Sequence, residues 1–399
     1  MSDDTPLFFH PPLAPRKGRG AVSNLAHRFS QDAREWFDDG WVAPDTPDSI
    51  AARADWESAE AVFDAESEAS AEDDASPSLA TEIRLEDCKS ALCSNDSPDL
   101  PFERSLNPYR GCEHGCIYCF ARPTHSYLGL SPGLDFETRI IAKPNIAAVL
   151  RRELAAPGYR PSPLVIGAAT DCYQPAERDL RLTRALIEVL SESRHPFSII
   201  TKSSAVERDL DLIAPLAARG LAAVYVTITT LDAALARQLE PRAATPARRL
   251  RTLRTLAVAG VPTGVSVAPQ IPFINNDMEQ VLQAARDAGA ERAFYTVLRL
   301  PWELDSLFRE WLSVHYPQRA ARVMARVQDL HDLSDAQRGA GKTYDSDFVT
   351  RMKGSGLWAD LLRQRFAAAC RRLGLNRERE GLDLTQFRPG LLRGQSSLF

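Results

Sequence analysis

Three cysteines stand close together in the stretch NPYRGCEHGCIYCFARPTH (107–125), and their spacing points to metal chemistry. Cys112, Cys116 and Cys119 follow a C-x3-C-x2-C pattern, with Tyr118 just before the last cysteine. Such spacing lets one loop wrap a cubane 4Fe–4S cluster, which normally takes four cysteines, each thiolate binding a separate iron. Three cysteines leave one iron open. That iron can bind the amino and carboxylate groups of S-adenosylmethionine (SAM) and pass an electron into its sulfonium.

A structural zinc site is the alternative interpretation of this loop. Zinc needs a fourth ligand, which His114 or His125 can supply. A zinc loop, however, usually pairs one C-x2-C with a second, distant pair, and the sequence has no such pair. The remaining Cys88, Cys93 and Cys370 lack ligand spacing. The pattern therefore favours the iron–sulfur cluster.

The composition is that of a globular protein with an uneven distribution of charge. The chain has 399 residues, 44% of them hydrophobic and 25% charged, and a formal net charge of −5. Residues 1–100 hold 22 acidic and 8 basic side chains, a balance of −14, whereas the rest of the chain has a balance of +9. A basic body is compatible with a polyanionic partner, although a solvated surface explains it equally simply.

Neither a membrane span nor a secretion signal is predicted. No run approaches the roughly 18 to 20 apolar residues that a membrane helix requires. The start MSDDTPLFFHPP lacks the basic and then apolar order of a signal peptide. We therefore expect a cytoplasmic protein. In a reducing compartment, clustered cysteines indicate metal or redox chemistry rather than disulfides.

Composition also divides the chain into four segments. They are an N-terminal arm with an acidic low-complexity segment (1–100), an α/β domain (101–301), a helical extension (302–394) and an exposed tail (395–399). The arm (11–29) mixes basic and apolar residues and can pack in an extended form. Residues 54–80 are rich in Ala, Ser, Glu and Asp, and we expect them to be disordered because they cannot bury enough apolar surface.

Short β-branched runs alternate with amphipathic stretches in the α/β domain. The predicted strands are LVIGAAT (164–170), FSIITK (197–202), AAVYVTITT (222–230), PTGVSVAPQI (262–271) and RAFYTVLRL (292–300). The predicted helices are 181–193, 208–220, 246–260 and 277–290. With a first strand leading into the cysteine loop, the alternation predicts a partial (β/α)6 barrel of the TIM type. Functional sites in such folds lie at the carboxyl ends of the strands.

The cysteine motif and its surroundings resemble a known family. C-x3-C-x-aromatic-C after a first strand, followed by β/α units, is similar to the radical SAM superfamily, and NPYRGCEHGCIYCFARPTH resembles its spore photoproduct lyase branch and the bacterial relatives of that branch. The resemblance runs from about residue 97 to about residue 375. It implies a lyase-like enzyme that cleaves SAM to a 5′-deoxyadenosyl radical, which abstracts hydrogen from a substrate.

The resemblance also assigns the methionine part of SAM to the ends of the second and third strands. It places Asp171 and Glu177 of GAATDCYQPAE near the ammonium group and Lys202 on the carboxylate. Each assignment has an alternative. Asp171 and Glu177 also suit a loop that caps the following helix, and Lys202 suits a solvent-exposed strand end.

Later strand ends offer polar groups for the rest of the cofactor. Thr227 and Thr229 alternate in VTITT, so both can lie on one face and bond the ribose. Glu240 and Arg242 in LEPRA follow that unit and suit the ribose or the substrate.

Two residues bear on the reaction itself. Tyr118 matches an aromatic residue beside the cluster of the lyase, but Phe120 stands where a second tyrosine is expected, so a relay through two tyrosines is interrupted. Cys172 occupies a position where the relatives commonly have proline. It can return a hydrogen atom to a substrate radical, or it can be a small buried hydrophobic residue.

We therefore expect a radical SAM enzyme with a 4Fe–4S cluster, reduced by ferredoxin or flavodoxin. Damaged or modified nucleic acid is the first choice of substrate, ahead of a protein side chain or a small metabolite. The basic stretch at 361–379 can track phosphates, and the tail Gln395–Phe399 resembles the peptide that repair proteins insert into the sliding clamp. The alternative is a non-catalytic, metal-stapled module that binds nucleic acid or the clamp.

Overall fold

Most of the predicted parallel strands meet in one open sheet. This computed structural model describes residues 13–30, 79–331, 343–377 and 381–393. The strands of the sheet are β2 (Leu92–Ser94), β3 (Arg104–Leu106), β6 (Leu164–Ile166), β7 (Phe197–Thr201), β8 (Ala222–Thr227), β9 (Thr263–Ser266) and β10 (Arg292–Phe294). Their order is β10-β9-β8-β7-β6-β3-β2, and the sheet is not closed. β2 is antiparallel to β3, and the other neighbours are parallel.

The strands of a second, smaller sheet precede and follow the cysteine loop in the sequence. It comprises β1 (Glu82–Leu85), β4 (Tyr109–Arg110) and β5 (Arg139–Ala142), in the order β1-β5-β4. β4 leads into the cysteine loop, and β5 follows it. The small sheet therefore fixes both ends of the segment that carries the three cysteines.

Helices lie between successive strands of the chain, as the alternation predicted. They are α1 (Asp135–Thr138), α2 (Ile146–Leu154), α3 (Glu177–Leu180), α4 (Leu182–Ser193), α5 (Leu210–Ala217), α6 (Ala233–Leu239), α7 (Pro246–Val258) and α8 (Met278–Asp287). The mixed α/β class is confirmed. The curvature of a partial barrel stays a prediction, because the strand order alone defines an open sheet.

The observed strands are shorter than the predicted ones. β8 ends at Thr227 and β9 at Ser266, whereas the β-branched runs continue to residues 230 and 271. The extra residues are buried loops at the carboxyl edge of the sheet, where apolar composition does not distinguish loop from strand. Functional residues of parallel sheets lie at this edge.

The C-terminal region is helical, with α9 (Glu303–His315), α10 (Ala320–Leu330) and α11 (Gly356–Leu373). Between α9 and α10 the chain leaves the helical conformation around Pro317, which has no N–H for the helical ladder. No helix in the described ranges is both long and apolar enough to cross a membrane. Most of the acidic segment and the tail Gln395–Phe399 lie outside the described residues.

Candidate cluster and cofactor site

The three cysteines lie on one loop between β4 and a 3-10 helix that begins at Arg122. Cys112 and Cys116 are each 7% exposed, and Cys119 is partly exposed. Their thiols are close enough to interact electrostatically with one another. The loop thus presents three free thiols from one short segment, mostly shielded from water and open on the side of Cys119.

The surroundings of the thiols combine burial with charge. Burial raises the pKa of Cys112, and the carboxylate of Asp171 adds to the effect, while the backbone N–H of Asp171 donates to the Cys112 sulfur and opposes it. Burial raises the pKa of Cys116 to about 12, against the lowering effect of nearby Lys202. Buried thiols become thiolates when a metal replaces their protons, so binding of iron releases protons here.

Each of the two histidines that zinc would need has another polar neighbour. The Nδ1 atom of His114 lies 3.2 Å from Asp171 Oδ2, and Nε2 of His125 lies 3.0 Å from the carbonyl oxygen of Arg139. Within the described ranges, no three His, Cys, Asp or Glu side chains are grouped to hold a single metal ion. A cubane, whose thiolates bind separate irons, suits three spaced thiols better than one zinc ion does.

A buried ion pair supports the loop from beneath, and sequence reasoning missed it. The guanidinium of Arg122 donates to Glu137, to the carbonyl of Cys116 at 2.8 Å and to that of Gly115 at 3.0 Å. The other hydrogen bonds of Glu137 come from the backbone N–H groups of Gly20 and Ala21. The arm therefore packs against this support of the cysteine loop at Gly20 and Ala21.

The approach of the arm to the loop requires glycine at position 20. A Cβ atom there would lie 1.8 Å from the carbonyl oxygen of Gly115. Ala21, next along the arm, is completely buried. The only sequence signal for this contact was the mixture of glycine, basic and apolar residues in the arm.

Tyr118 begins a buried hydrogen-bond network that reaches the end of β8. Its hydroxyl donates to Glu240 and lies 3.2 Å from the hydroxyl of Thr229. Thr229 also donates to Glu240, and Arg249 forms an ion pair with the second carboxylate oxygen. Burial opposes the charge of Glu240, yet Arg249 and Lys202 hold its pKa below the usual value. Glu240 thus positions Tyr118 beside the cysteines.

Lys202 follows β7 and lies beside the cysteine loop. Its Nζ atom is 5.7 Å from the centre of the Tyr118 ring. Burial acts to lower the pKa of Lys202, but Cys116, Glu240 and Asp171 together raise it, so the ammonium group stays charged. Within the described ranges, no side-chain oxygen accepts a hydrogen bond from this ammonium. The structure thus places a buried cation beside Tyr118 and near Cys116, Glu240 and Asp171.

Asp171 lies in the loop after β6 and joins it to the neighbouring strand. Its carboxylate accepts from the Thr201 hydroxyl and the Lys202 N–H, both at 2.7 Å, and from the N–H of Tyr173 at 2.9 Å. Burial opposes its charge, but His114 and these donors lower the pKa of Asp171. The structure brings Asp171 to the cysteines, but its oxygens are used by the protein itself.

The surroundings of Glu177 fit the alternative interpretation, in which this residue caps the following helix. Its carboxylate accepts from the backbone N–H of Thr183 at 3.0 and 3.1 Å, from the Tyr109 hydroxyl, and from Arg208 at 3.0 Å. Thr183 lies in the first turn of α4. Glu177 is 1% exposed. It thus satisfies orphan N–H groups at a helix start.

Cys172 is completely buried in the main apolar core. Gly167 lies next to it with a φ of 85°. A Cβ atom added at Gly167 would lie 3.1 Å from the Cys172 sulfur and 2.6 Å from the Ile200 carbonyl oxygen. This environment is that of a small buried hydrophobic residue. A role in hydrogen return stays a prediction.

The other predicted residues are Arg242, which contacts the cysteine loop directly, and Thr227, which lies at the end of β8. Arg242 donates to Glu113 of the cysteine loop and to Thr81, at 3.0 and 3.1 Å. Glu113 accepts from the N–H of Ala176 at 2.7 Å, so it links three segments. Thr227 is buried at the end of β8, and its carbonyl accepts from Arg249 at 3.0 Å. Arg242 and Thr227 thus lie around the site as part of its scaffold.

Comparison with known proteins identifies the family. A model of the Radical SAM superfamily matches residues 106–285. An uncharacterized protein of Mycobacterium tuberculosis is 39% identical over 241 residues, which cover 59% of this chain and 70% of the relative. An uncharacterized protein of Methanocaldococcus jannaschii is 25% identical over 53% of this chain and 76% of its own length. The chain belongs to the radical SAM superfamily, as its cysteine motif predicted.

Among solved structures, variants of spore photoproduct lyase match in fold. One has 16% sequence identity and a TM-score of 0.47, covering 73% of this chain and 78% of that chain. At this distance the match says nothing of the substrate.

Proposed function

We propose that this protein is a radical SAM enzyme that acts on damaged or modified nucleic acid. The observation that carries the chemistry is the group of three free, mutually close thiols on one loop, with the charged ammonium of Lys202 beside them. When bound there, a 4Fe–4S cluster supplies the electron that cleaves SAM to methionine and a 5′-deoxyadenosyl radical, which abstracts hydrogen from the substrate.

The residues of this chain hold and shield the cofactors. Cys112, Cys116 and Cys119 ligate the cluster and leave one iron without a protein ligand. Lys202 binds the methionine carboxylate, because a charge-assisted bond in a desolvated site is stronger than a neutral one. Tyr118, fixed by Glu240, covers one side of the cluster and excludes water.

The other assignments concern partners and location. We infer that ferredoxin or flavodoxin reduces the cluster and that the enzyme acts in the cytoplasm. The choice of nucleic acid rests on the resemblance of the motif and on the basic balance of residues 101–399. Binding of the sliding clamp through Gln395–Phe399 concerns residues outside the described ranges.

Anaerobic reconstitution tests this function directly. The protein is loaded with iron and sulfide and supplied with dithionite and SAM, and 5′-deoxyadenosine is measured by chromatography. We expect about four irons per chain and product from the wild type. Cys116→Ala should give neither, whereas Cys93→Ala, which removes an exposed thiol outside the loop, should behave like the wild type.

The contrary result is equally specific. A colourless protein that holds one zinc ion, or an iron–sulfur protein that never cleaves SAM, would contradict the proposed enzyme. Either result would favour the metal-stapled binding module.

A further inference from the structure

Three exposed aromatic side chains surround one arginine near the cysteine loop. Phe29 is 52% exposed, Tyr127 67% and Trp302 65%. The guanidinium carbon of Arg28 lies 4.7, 4.9 and 4.6 Å from their respective ring centres. The rings of Phe29 and Tyr127 are 5.3 Å apart. We call these four residues the aromatic platform.

The platform is held rigidly from below. Arg28 forms a 2.8 Å ion pair with Glu303 at the start of α9, and its backbone N–H donates to the same carboxylate at 2.8 Å. Ser126, next to Tyr127, donates to Glu303 at 3.1 Å. A platform fixed in this way loses little side-chain entropy when a ligand stacks on it.

Trp302 has a backbone conformation that disfavours its own side chain. Its φ is 49° and its ψ −128°, a combination that L-residues seldom adopt and that glycine adopts freely. Strained residues of this kind cluster at ligand-binding and active sites. An exposed indole at such a position indicates that the indole itself contacts a ligand.

Two chain segments connect the platform to the cluster loop. The first runs from Cys119 and Phe120 through the 3-10 helix Arg122–Leu128 to Tyr127. The second runs from Arg299 to Trp302, and the Arg299 guanidinium carbon lies 4.8 Å from the ring centre of Phe120. Phe120, 46% exposed, thus forms with Arg299 a second aromatic–arginine pair on the open side of the cysteine loop.

The cations of this surface are suited to phosphate. Arg299 is half-buried and close enough to Cys119 to interact with it electrostatically, and among the described residues no oxygen accepts a hydrogen bond from its guanidinium. The arm segment 13–30, which carries Arg28 and Phe29 of the platform, has four basic residues and no acidic one. An anionic ligand with planar rings complements both features.

We propose that Phe120, Arg299 and the aromatic platform form a track for a single-stranded nucleic acid, which leads unpaired nucleotides to the cluster. Bases stack on the exposed rings, since every base offers a π-face, and Arg299 contacts a phosphate. The track rests on the proposed function, because it deepens the choice of nucleic acid as substrate. It needs no base pairing, so the target nucleotide enters without first being flipped from a duplex.

Fluorescence anisotropy with a labelled oligothymidine of about 15 nucleotides tests the track in the full-length, cluster-loaded protein. We expect Tyr127→Ala and Trp302→Ala each to weaken binding about tenfold, with an unchanged salt dependence. Arg299→Gln should weaken binding and also reduce the slope of log K against log salt by about 0.7, the contribution of one phosphate contact. Trp302→Phe, which keeps a ring, should bind within about threefold of the wild type.

Trp358→Ala is the matched control. Trp358 is another exposed tryptophan stacked on an arginine, Arg326, with the guanidinium carbon 3.5 Å from its ring centre, but it lies on α11. This variant should bind like the wild type. Equal loss in Trp358→Ala and Trp302→Ala, no loss in either platform variant, or duplex binding as tight as single-strand binding would each overturn the track.

The radical chemistry is judged separately. Formation of 5′-deoxyadenosine by the wild type without oligonucleotide reports the cluster and SAM, whereas anisotropy reports the track. Unchanged oligonucleotide binding in Tyr127→Ala and Trp302→Ala, with intact SAM cleavage by the wild type, would refute the track alone. Binding to the track without SAM cleavage would refute the proposed chemistry alone.

Discussion

Arg122 and Glu137 form an ion pair that is completely buried beneath the cysteine loop. Arg122 also donates to the carbonyls of Cys116 and Gly115, and Glu137 accepts from the N-terminal arm at Gly20. One pair of charges therefore joins the loop, the helix α1 and the arm. The three cysteines of this loop must change from thiols to thiolates when iron binds. The loop needs external support for this change because it is short and contains glycine.

Arg122→Met should destabilise the protein by about 3 to 5 kcal/mol, because it leaves the Glu137 carboxylate buried without a partner. The free energy of unfolding in urea measures the effect. The control is Arg151→Met, which breaks an exposed pair with Glu192 and should cost about 1 kcal/mol or less. Equal losses in the two variants would contradict the support that we assign to Arg122.

Glu177→Gln separates a capping role from a role in cofactor binding. The glutamine side chain has the same size, but its amide has only one oxygen that can accept hydrogen bonds. We therefore expect a loss of about 1 to 3 kcal/mol in the free energy of unfolding. The affinity for SAM of the folded, cluster-loaded variant should stay within about threefold of the wild type. A large loss of affinity with unchanged stability would instead assign Glu177 to the methionine ammonium.

Burial of His195 predicts a stability that depends on pH. Its Nδ1 lies 3.0 Å from the Pro196 carbonyl oxygen and its Nε2 2.8 Å from the Tyr159 hydroxyl, so the neutral ring is satisfied. Burial lowers the pKa of His195 to about 4. The unfolded chain, with a histidine pKa of about 6.5, then binds more protons between these values, so stability is complete above pH 6.5 and falls towards pH 4.

The size of this effect is about 3 kcal/mol over the full pH range from 6.5 to 4. His195→Gln should be less stable at neutral pH, since its packing is altered, but its stability should fall less steeply in acid. Urea unfolding at several pH values measures both slopes. Parallel slopes for the two proteins would show that His195 does not titrate on unfolding.

The order of elements was predictable because each depends on local pattern. Alternating β-branched runs and amphipathic stretches gave the strands β6 to β10 and the helices between them, and the spacing of Cys112, Cys116 and Cys119 identified the superfamily. The ends of the strands were less predictable. Residues 228–230 are buried and β-branched, as strand residues often are, yet they form the loop that holds Thr229 next to Tyr118.

The support of the site was not predictable, since it depends on contacts between residues far apart in sequence. In the sequence, Arg122, Glu137 and Arg249 look like ordinary charged residues. Only the fold shows that Arg122 forms a buried pair with Glu137, and Arg249 with Glu240. The same applies to the aromatic platform, in which Phe29 and Trp302 are 273 positions apart. A single sequence without an alignment contains no signal for such pairs.

Lys202→Met tests whether the ammonium group beside Tyr118 binds the cofactor. The variant loses a charge-assisted bond of about 1.5 to 3 kcal/mol, so we expect the affinity for SAM to fall about tenfold or more, while the iron content stays unchanged. Equilibrium binding of SAM to the cluster-loaded protein measures the effect. Lys353→Met is the matched control, because Lys353 also lies over a tyrosine ring, that of Tyr295, at 3.8 Å. Its amine donates to the Tyr295 carbonyl, so its removal should affect stability and leave SAM binding intact. An equal loss of affinity in both variants would mean that Lys202 acts on the fold, and the methionine carboxylate would then need another cation.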